Sequence, residues 1–515
     1  MLHTQLITPI PTLLRQHADT RGEAVAYRDI KRSVSYHELA KRTANLAGHL
    51  VAFGVKAGDT VALFLPNSVE WIETCFAINR AGGICVPISY EAVEGEIIYR
   101  LQDAACKVIV TTGEKQAFVE ALKSQCADLC ETIATDHGAA GTDRNRFELL
   151  ASTAPSIPAP DPADIFAAAF IIYTSGTTGR AKGVVLSVHS MLWIAASCWG
   201  PILQLSSADT ILSPLPLFHS YALNLSVLGV LALGASEYIM EKFSTTEVVR
   251  LLKTGEFTFI PGVPTMFHYL LEAGKSDPSV RLEGLRLAMS AGAIMPATLN
   301  REFEAQFGVS LLDGYGITET STMVTMNWPT GTRILGSCGL PVPGLSVRIM
   351  DPATGEDAAT GAEGELIVRG PNLMSGYHNK PAETEAALRN GWYYTGDLAR
   401  SDPNGYLTIT GRLKELIIRG GQNIAPAEIE EVVLGCEVVI DCAVIGTPHA
   451  HLGEVPTLFV VPRTEISDSA IILEHCRKHL SAYKVPTAVH FIDQIPRTGS
   501  GKIMRFKLRE HLTSV

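Results

Sequence analysis

A surplus of positive charge is what this 515-residue chain lacks first: 42 Lys and Arg stand against 53 Asp and Glu, a formal net charge of −11. Without a basic field nothing general gathers phosphate backbone or anionic lipid, so nucleic-acid binding is excluded as the main business. Long apolar runs are scarce as well. The longest, at 165–173 and 225–235, fall well short of the roughly 20 residues that cross a bilayer, and no membrane span is expected. The ten cysteines form no Cys-x-x-Cys pair and have no histidine beside them at zinc-ligand spacing. They read as reduced thiols of a cytoplasmic enzyme. Residues 1–17 have no basic start before an apolar stretch and are interrupted by Pro9 and Pro11, so no signal peptide is expected. The ending Thr513-Ser514-Val515 is no peroxisomal address. Internal repeats and heptads are absent.

What is present is ample material for packed cores, with 46% hydrophobic and 18% charged residues, and a length that calls for several modules at about 100–200 residues each. From about 35 to 110, helical patterns (37–53, 68–81) alternate with short apolar runs (60–65, 83–86, 107–110), the rhythm of an α/β fold. Four prolines between 154 and 164 forbid helix and central strand there and mark an exposed connector. Strand candidates resume at 165–173, 184–186, 235–240, 257–261, 285–290 and 310–314. From about 336 the texture becomes short strands broken by Gly and Pro (346–350, 364–368, 406–410), with a turn at Asp402-Pro403-Asn404-Gly405. This is a small β-rich subdomain. After about 413 an α+β tail follows, with Pro426 at a first helical position and strands near 442–445 and 457–461. The expected division is a large domain of stacked α/β subdomains with its β-rich subdomain, 1–413, and a smaller mobile α+β domain, 414–515.

The densest chemical signal is Tyr173-Thr-Ser-Gly-Thr-Thr-Gly-Arg-Ala-Lys182-Gly-Val184. Three glycines, four hydroxyls and one ammonium on a loop leaving a strand are what a polyphosphate needs: backbone N–H groups, hydroxyl donors and a cation. It is not a Walker A loop, because Ala181 precedes the lysine and Gly183 follows it. Taken alone the segment is equally a polar turn.

The loop resembles the phosphate-binding signature of the adenylate-forming superfamily of acyl-CoA synthetases, luciferases and peptide-synthetase adenylation domains. Further signatures follow in that family's order: Leu217-Phe218-His219, Asp313-Gly-Tyr-Gly-Ile-Thr-Glu319, Tyr394-Thr-Gly-Asp397, Gly411-Arg-Leu-Lys-Glu415 through Gly420-Gly-Gln-Asn423, and Pro496-Arg-Thr-Gly-Ser-Gly-Lys502. Six ordered motifs over more than 300 residues leave little to chance. Ala181 departs from the proline many members carry and makes the loop less rigid.

The resemblance implies attack of a carboxylate on the α-phosphate of ATP, giving acyl adenylate and pyrophosphate, then transfer to the thiol of coenzyme A. ATP and AMP would be held by Thr174, Ser175, Gly176, Thr177, Thr178, Gly179, Lys182, Asp313, Gly314, Tyr315, Thr318, Asp397, Arg412, Asn423 and Lys502. Glu319 would hold Mg²⁺ with the Thr174 or Thr318 hydroxyl, Asp313 would face the adenine amino group, and Asp397 would grip the ribose hydroxyls. Lys502 would bridge the carboxylate and the α-phosphate. Lys414 would be the hinge of a domain rotation that exchanges the lysine loop for the glycine pair Gly420–Gly421 on the coenzyme A side. His219 would gate the acyl pocket, so the catalytic set is Lys502, His219, Thr318 and Glu319. Read without the family, Thr395-Gly396-Asp397 and Asp313-Gly314-Tyr315 are turns, His219 is a core histidine, and Lys502 is solvated charge.

Amino-acid-activating relatives place an aspartate next to the gate; here Ser220 stands there, so an acid without an α-amine is expected. The pocket candidates His219, Tyr221, Asn224, Ala291, Ala293, Met323 and Val324 suit a hydrophobic fatty or aryl group. Two competing readings stay open: an adenylating enzyme that loads a carrier-protein thiol or oxidises its intermediate, and a non-catalytic nucleotide-binding relative. The partners expected are the acid, ATP and coenzyme A, with a homodimer left open.

Overall fold

A computed structural model describes residues 2–135, 147–174, 181–420, 422–463, 469–498 and 501–513. Ser175, Gly176, Thr177, Thr178 and Gly179 of the phosphate-loop motif, and Gly421, lie outside the described residues.

The helix Tyr36–Ala52 starts where Ser35 Oγ accepts from the Glu38 N–H and the Glu38 carboxylate accepts from the Ser35 N–H. This reciprocal cap satisfies two N–H groups the helix leaves unpaired. Leu39, Leu46, Ala47 and Leu50 then fall on one buried stripe. The next helix, Val69–Arg80, is buried along nearly its whole length. Its residues enter the same core as strands of both large sheets, so it lies inside a layered stack and not on its surface.

Those two sheets are mostly parallel. One has seven strands in the order Gly376–Tyr377, Lys182–Ser187, Ala168–Thr174, Ile84–Pro87, Thr60–Phe64, Val108–Thr111, Glu131–Ala134. The other has nine, running from Leu340–Pro341 through Thr325–Met326, Ser310–Tyr315, Leu287–Ser290, Phe259–Gly262, Thr210–Ser213, Ser236–Ile239 and Val25–Arg28 to Ser33–Ser35. A third, antiparallel sheet is built on Trp392–Ser401, paired on one side with Gly364–Arg369 and on the other with Leu407–Arg412. From Ile417 onward the chain makes its own five-stranded sheet around Val439–His449 and Gly453–Pro462, with a separate core under the helices Pro426–Leu434 and Ala470–His479. The architecture is α/β with a smaller α+β unit at the C-terminal end. No helix among the described residues is long and apolar enough to cross a membrane.

The proline-rich segment carries no helix or strand and is mostly exposed, yet it is pinned: Asp161 accepts from Arg80 Nε at 2.8 Å and from Arg15 Nη1 at 2.7 Å. Two turn readings do not hold. Asp313, Gly314 and Tyr315 end the strand Ser310–Tyr315. Thr395, Gly396 and Asp397 lie inside the strand Trp392–Ser401, where Gly396 takes φ +70° and donates its N–H to Glu365. The register against Gly364–Arg369 shifts at that point. A bulge that kinks a strand uses the same glycine chemistry as a turn, so local sequence could not separate them.

The last strand of the parallel set leads into a tight return. Gly316 packs so closely on it that a Cβ there would lie 1.4 Å from the Thr322 carbonyl oxygen, and Thr322 itself sits at φ +98°. Gly316→Ala is therefore expected to push this return off its seat and cost about 1–3 kcal/mol, read as a lowered thermal midpoint; an unchanged midpoint would mean that the return yields freely.

Candidate functional site

The ends of the parallel strands converge on a small, partly open cavity. Beyond Thr210–Ser213 the chain supplies His219, Ser220 and Tyr221; beyond Leu287–Ser290, Ala291 and Gly292; beyond Ser310–Tyr315, Gly316, Ile317, Thr318 and Thr322. The carboxyl ends of a parallel sheet are where loops leave room for a ligand. The remaining lining residue, Lys502, comes from the C-terminal unit.

Two contacts seat that unit here. The α-carbon of Gly501 approaches so near that a Cβ would meet Val263 Cγ2 at 3.0 Å, and Arg463 Nη1 pairs with Glu272 Oε2 at 2.6 Å. Gly501 takes φ +81°, a conformation glycine adopts without strain. Its neighbour is thereby carried into the cavity. Burial and the nearby Arg412 charge pull the Lys502 ammonium below the usual lysine range, while Asp397, Glu319 and Glu415 pull the other way. An ammonium placed there has lost water and is held by a field of carboxylates.

His219 is pushed down to about 3 by burial, with the Lys502 charge adding to the effect. Its Nδ1 accepts from the Tyr221 N–H at 3.4 Å, capping a short helical turn. The neutral ring therefore carries its proton on Nε2. Ser220 Oγ and Thr318 Oγ1 lie 3.0 Å apart, joining two walls.

Asp397 is buried, with Oδ1 2.7 Å from Arg412 Nε and Oδ2 accepting from the Tyr315 hydroxyl. Each oxygen retains a second lone pair for a ligand hydroxyl. Asp313 is 8% exposed, burial pushes its carboxyl well above the usual range, and its Oδ1 has no hydrogen-bond partner among the described residues. A buried acceptor in that state awaits a donor. Gly314 packs under the methyls of Met323 and Met326. Glu319 Oε1 accepts from the Tyr377 hydroxyl at 3.0 Å. Thr174 and Lys182 face each other across the antiparallel pair Ala168–Thr174 and Lys182–Ser187, and Lys182 pairs with Glu383.

Several pocket candidates stand elsewhere. Asn224 is a fully buried core residue: its amide donates to the Met191 and Ser321 carbonyls at 2.9 and 3.0 Å and accepts from Trp199 Nε1 at 2.7 Å. Every polar atom it has is spent on the fold. Met323 and Val324 are likewise fully buried, in two different cores, and Ala293 falls past the lining pair Ala291–Gly292. Asn423 is exposed on the hairpin of Ile417–Arg419 and Gln422–Ile424. At the turn of that hairpin Gly420 takes φ +58° and donates its N–H to the Leu452 carbonyl. Lys414 is exposed on the turn Leu413–Glu415. Sequence reasoning missed Thr322, because a threonine at positive φ is a poor guess for any turn, and missed Tyr377 and Glu383, which reach the site only through sheet pairing.

Because an unfolded histidine protonates near 6.5 and His219 near 3, the folded state binds fewer protons between those values, and this group lowers stability as pH falls from 6.5 toward 3. Histidine-selective NMR should keep the His219 ring neutral below pH 5. Lys502→Met should raise its titration point by removing an adjacent cation; no movement would mean that the two side chains are not neighbours.

The comparisons with known proteins bear on this arrangement. The model of the AMP-binding enzyme family matches residues 14–378, and that of the AMP-binding enzyme C-terminal domain matches 428–502. The chain is 34% identical over 490 residues to a feruloyl-CoA synthase of Amycolatopsis sp, covering 94% of this chain and 95% of that one. It is 35% identical over 523 residues to a naringenin synthase of Pestalotiopsis fici, covering 98% of this chain but 19% of that longer protein. The crystal structure of the anthranilate CoA ligase AuaEII in complex with anthranoyl-AMP superposes with a TM-score of 0.91 at 25% identity, over 98% of both chains. With both family models matched in order along one chain, this protein belongs to the AMP-binding enzymes.

Proposed function

We propose that the chain is an AMP-forming carboxylate–CoA ligase that activates a hydrophobic acid, fatty or aryl and without an α-amine, and passes its acyl group to coenzyme A. The observation that carries this is Lys502, an ammonium delivered by the C-terminal unit into a cavity that it lines together with His219, within electrostatic reach of Asp397, Arg412 and Glu319. An isolated nucleotide-binding module has no use for a half-buried lysine brought into its cavity from a second unit.

In the first step a carboxylate oxygen bonds to the α-phosphorus of ATP and the bond to the bridging oxygen breaks, releasing pyrophosphate. Both reactants are anions, so the chain must supply positive charge between them. Lys502 does so from within the cavity, with Arg412 beside it. The orphaned Asp313 Oδ1 accepts from the adenine amino group, Tyr315 lies along the base, and Asp397 takes the ribose hydroxyls on its remaining lone pairs. Glu319, with the Thr174 or Thr318 hydroxyl, would hold Mg²⁺; one carboxylate and neighbouring hydroxyls match the way this ion binds when phosphates complete its shell. Its chemistry there is neutralisation of phosphate charge.

In the second step the thiol of coenzyme A attacks the acyl carbonyl and AMP leaves. We assign the division at 413/414 to this change of partner: rotation at Lys414 would withdraw Lys502 and bring the face of Gly420 and Gly421 to the cavity. His219, neutral and beside the lysine, is assigned as the gate between acid and thiol. No carboxylate lines the cavity among the described residues, so a substrate ammonium would be buried unpaired, at a cost of several kcal/mol. Ten free cysteines suit a reducing compartment, and the cytoplasm is the proposed location. Coenzyme A is favoured over a carrier protein because the relatives named above include ligases of coenzyme A.

Pyrophosphate release with ATP and Mg²⁺ should occur for a fatty or aryl acid, accelerate with coenzyme A and fail for α-amino acids; release indifferent to coenzyme A would shift the assignment to carrier loading. Lys502→Ala should slow adenylation on the order of 100-fold, the scale of losing one transition-state donor, yet still make thioester from supplied acyl adenylate. Equal loss of both half-reactions would sink the assignment of Lys502 to adenylation alone.

A further inference from the structure

Lys182 is engaged by partners within the chain itself. Its ammonium pairs with Glu383 Oε2 and sits 5.0 Å from the centre of the Tyr377 ring. Glu383 lies on the helix Pro381–Ala387, 201 positions along the chain from the lysine by number, and sheet pairing accounts for the meeting. The strand Gly376–Tyr377 pairs with Lys182–Ser187 in the register Gly376 to Val185 and Tyr377 to Val184, and the His378 N–H donates to the Gly183 carbonyl at 2.7 Å. The Tyr377 N–H donates in turn to Thr384 Oγ1 at 2.9 Å, the residue next to Glu383. The helix is thus tied to the strand that carries the lysine.

We infer that Glu383 is a built-in counter-ion of Lys182 which polyphosphate must displace, so that this carboxylate sets how tightly ATP is held and how readily pyrophosphate departs. The inference rests on the ATP reading of Lys182 given above. A lysine ammonium offers three donors and one charge; a carboxylate already at contact both lowers its attraction for phosphate and repels the arriving anion. The exchange has somewhere to go, because the other Glu383 oxygen stands 3.8 Å from Lys380 Nζ. A displaced carboxylate keeps a cation. Hydrogen bonding to Lys182 holds the Glu383 carboxyl below its usual range, so it is charged at neutral pH. The Tyr377 ring joins this exchange to the proposed metal position, since its face meets the Lys182 ammonium while its hydroxyl donates to Glu319 at 3.0 Å.

The partly exposed setting of the pair, with side-chain exposures of 23% for Lys182 and 41% for Glu383, limits its effect to that of a screened contact. The test is calorimetric binding of MgATP and of pyrophosphate to the full chain and to Glu383→Gln, with KM and kcat measured alongside. Both ligands should bind Glu383→Gln about threefold more tightly at low ionic strength, the scale of a partly exposed ion pair. The difference should shrink as salt is raised, KM for ATP should fall, and KM for the acid should stay. In a Lys182→Ala background the Glu383→Gln effect should largely vanish. Unchanged or weaker binding by Glu383→Gln overturns the inference, because the carboxylate then either orients the lysine or does nothing. A wild-type chain that turns over an acid while Glu383→Gln behaves identically sinks this inference alone; a chain that binds neither ligand sinks both readings.

Discussion

An ammonium group carried on one folded unit and buried in another must be compensated on arrival, and much of this structure is arranged around that requirement for Lys502. Removing the charge from water costs several kcal/mol unless opposite charges receive it. Asp397, Glu319 and Glu415 receive it, Arg412 opposes it, and the neutral His219 adds no further cation. Apart from Arg412 and Glu415, which share one run of chain, these residues come from different segments. The sheets, returns and bulges that place them are therefore parts of one electrostatic arrangement.

The same economy governs Asp397 and Asp313. Asp397 is buried but stays paired, through Arg412 and Tyr315, whereas Asp313 is buried with one oxygen unpaired among the described residues. The first is a carboxylate made ready to accept more donors without paying for desolvation twice. The second keeps one buried acceptor without a donor among the described residues. Tyr377 handles charge in a third way, offering its ring face to a cation and its hydroxyl to an anion, which is how one aromatic residue can link Lys182 to Glu319.

Much of the fold was legible from periodicity. The helix 37–53 and the strands at 60–65, 310–314 and 346–350 are found within a residue or two as Tyr36–Ala52, Thr60–Phe64, Ser310–Tyr315 and Ser346–Met350, because apolar spacing reports burial directly. The site was legible in its motifs but not in its walls. Asn224, on a π-helical turn, and Met323, in the tight return after Thr322, stand close to motif residues in sequence and yet pack into the core. Thr395-Gly396-Asp397 shows the limit most plainly: a glycine at positive φ marks a turn or a bulge alike, and the partner strand decides which.

The sequence by itself determined the α/β class, the ordered motifs, the loop chemistry suited to polyphosphate and the absence of a carboxylate beside the gate, all of which are properties of adjacent residues. The tertiary structure decided what depends on distance: that Lys502 enters the cavity, that Thr322 and Gly292 and not Asn224 line it, and that Glu383 meets Lys182. Pairing between strands far apart in the chain sets those distances. Local sequence carries no term for them.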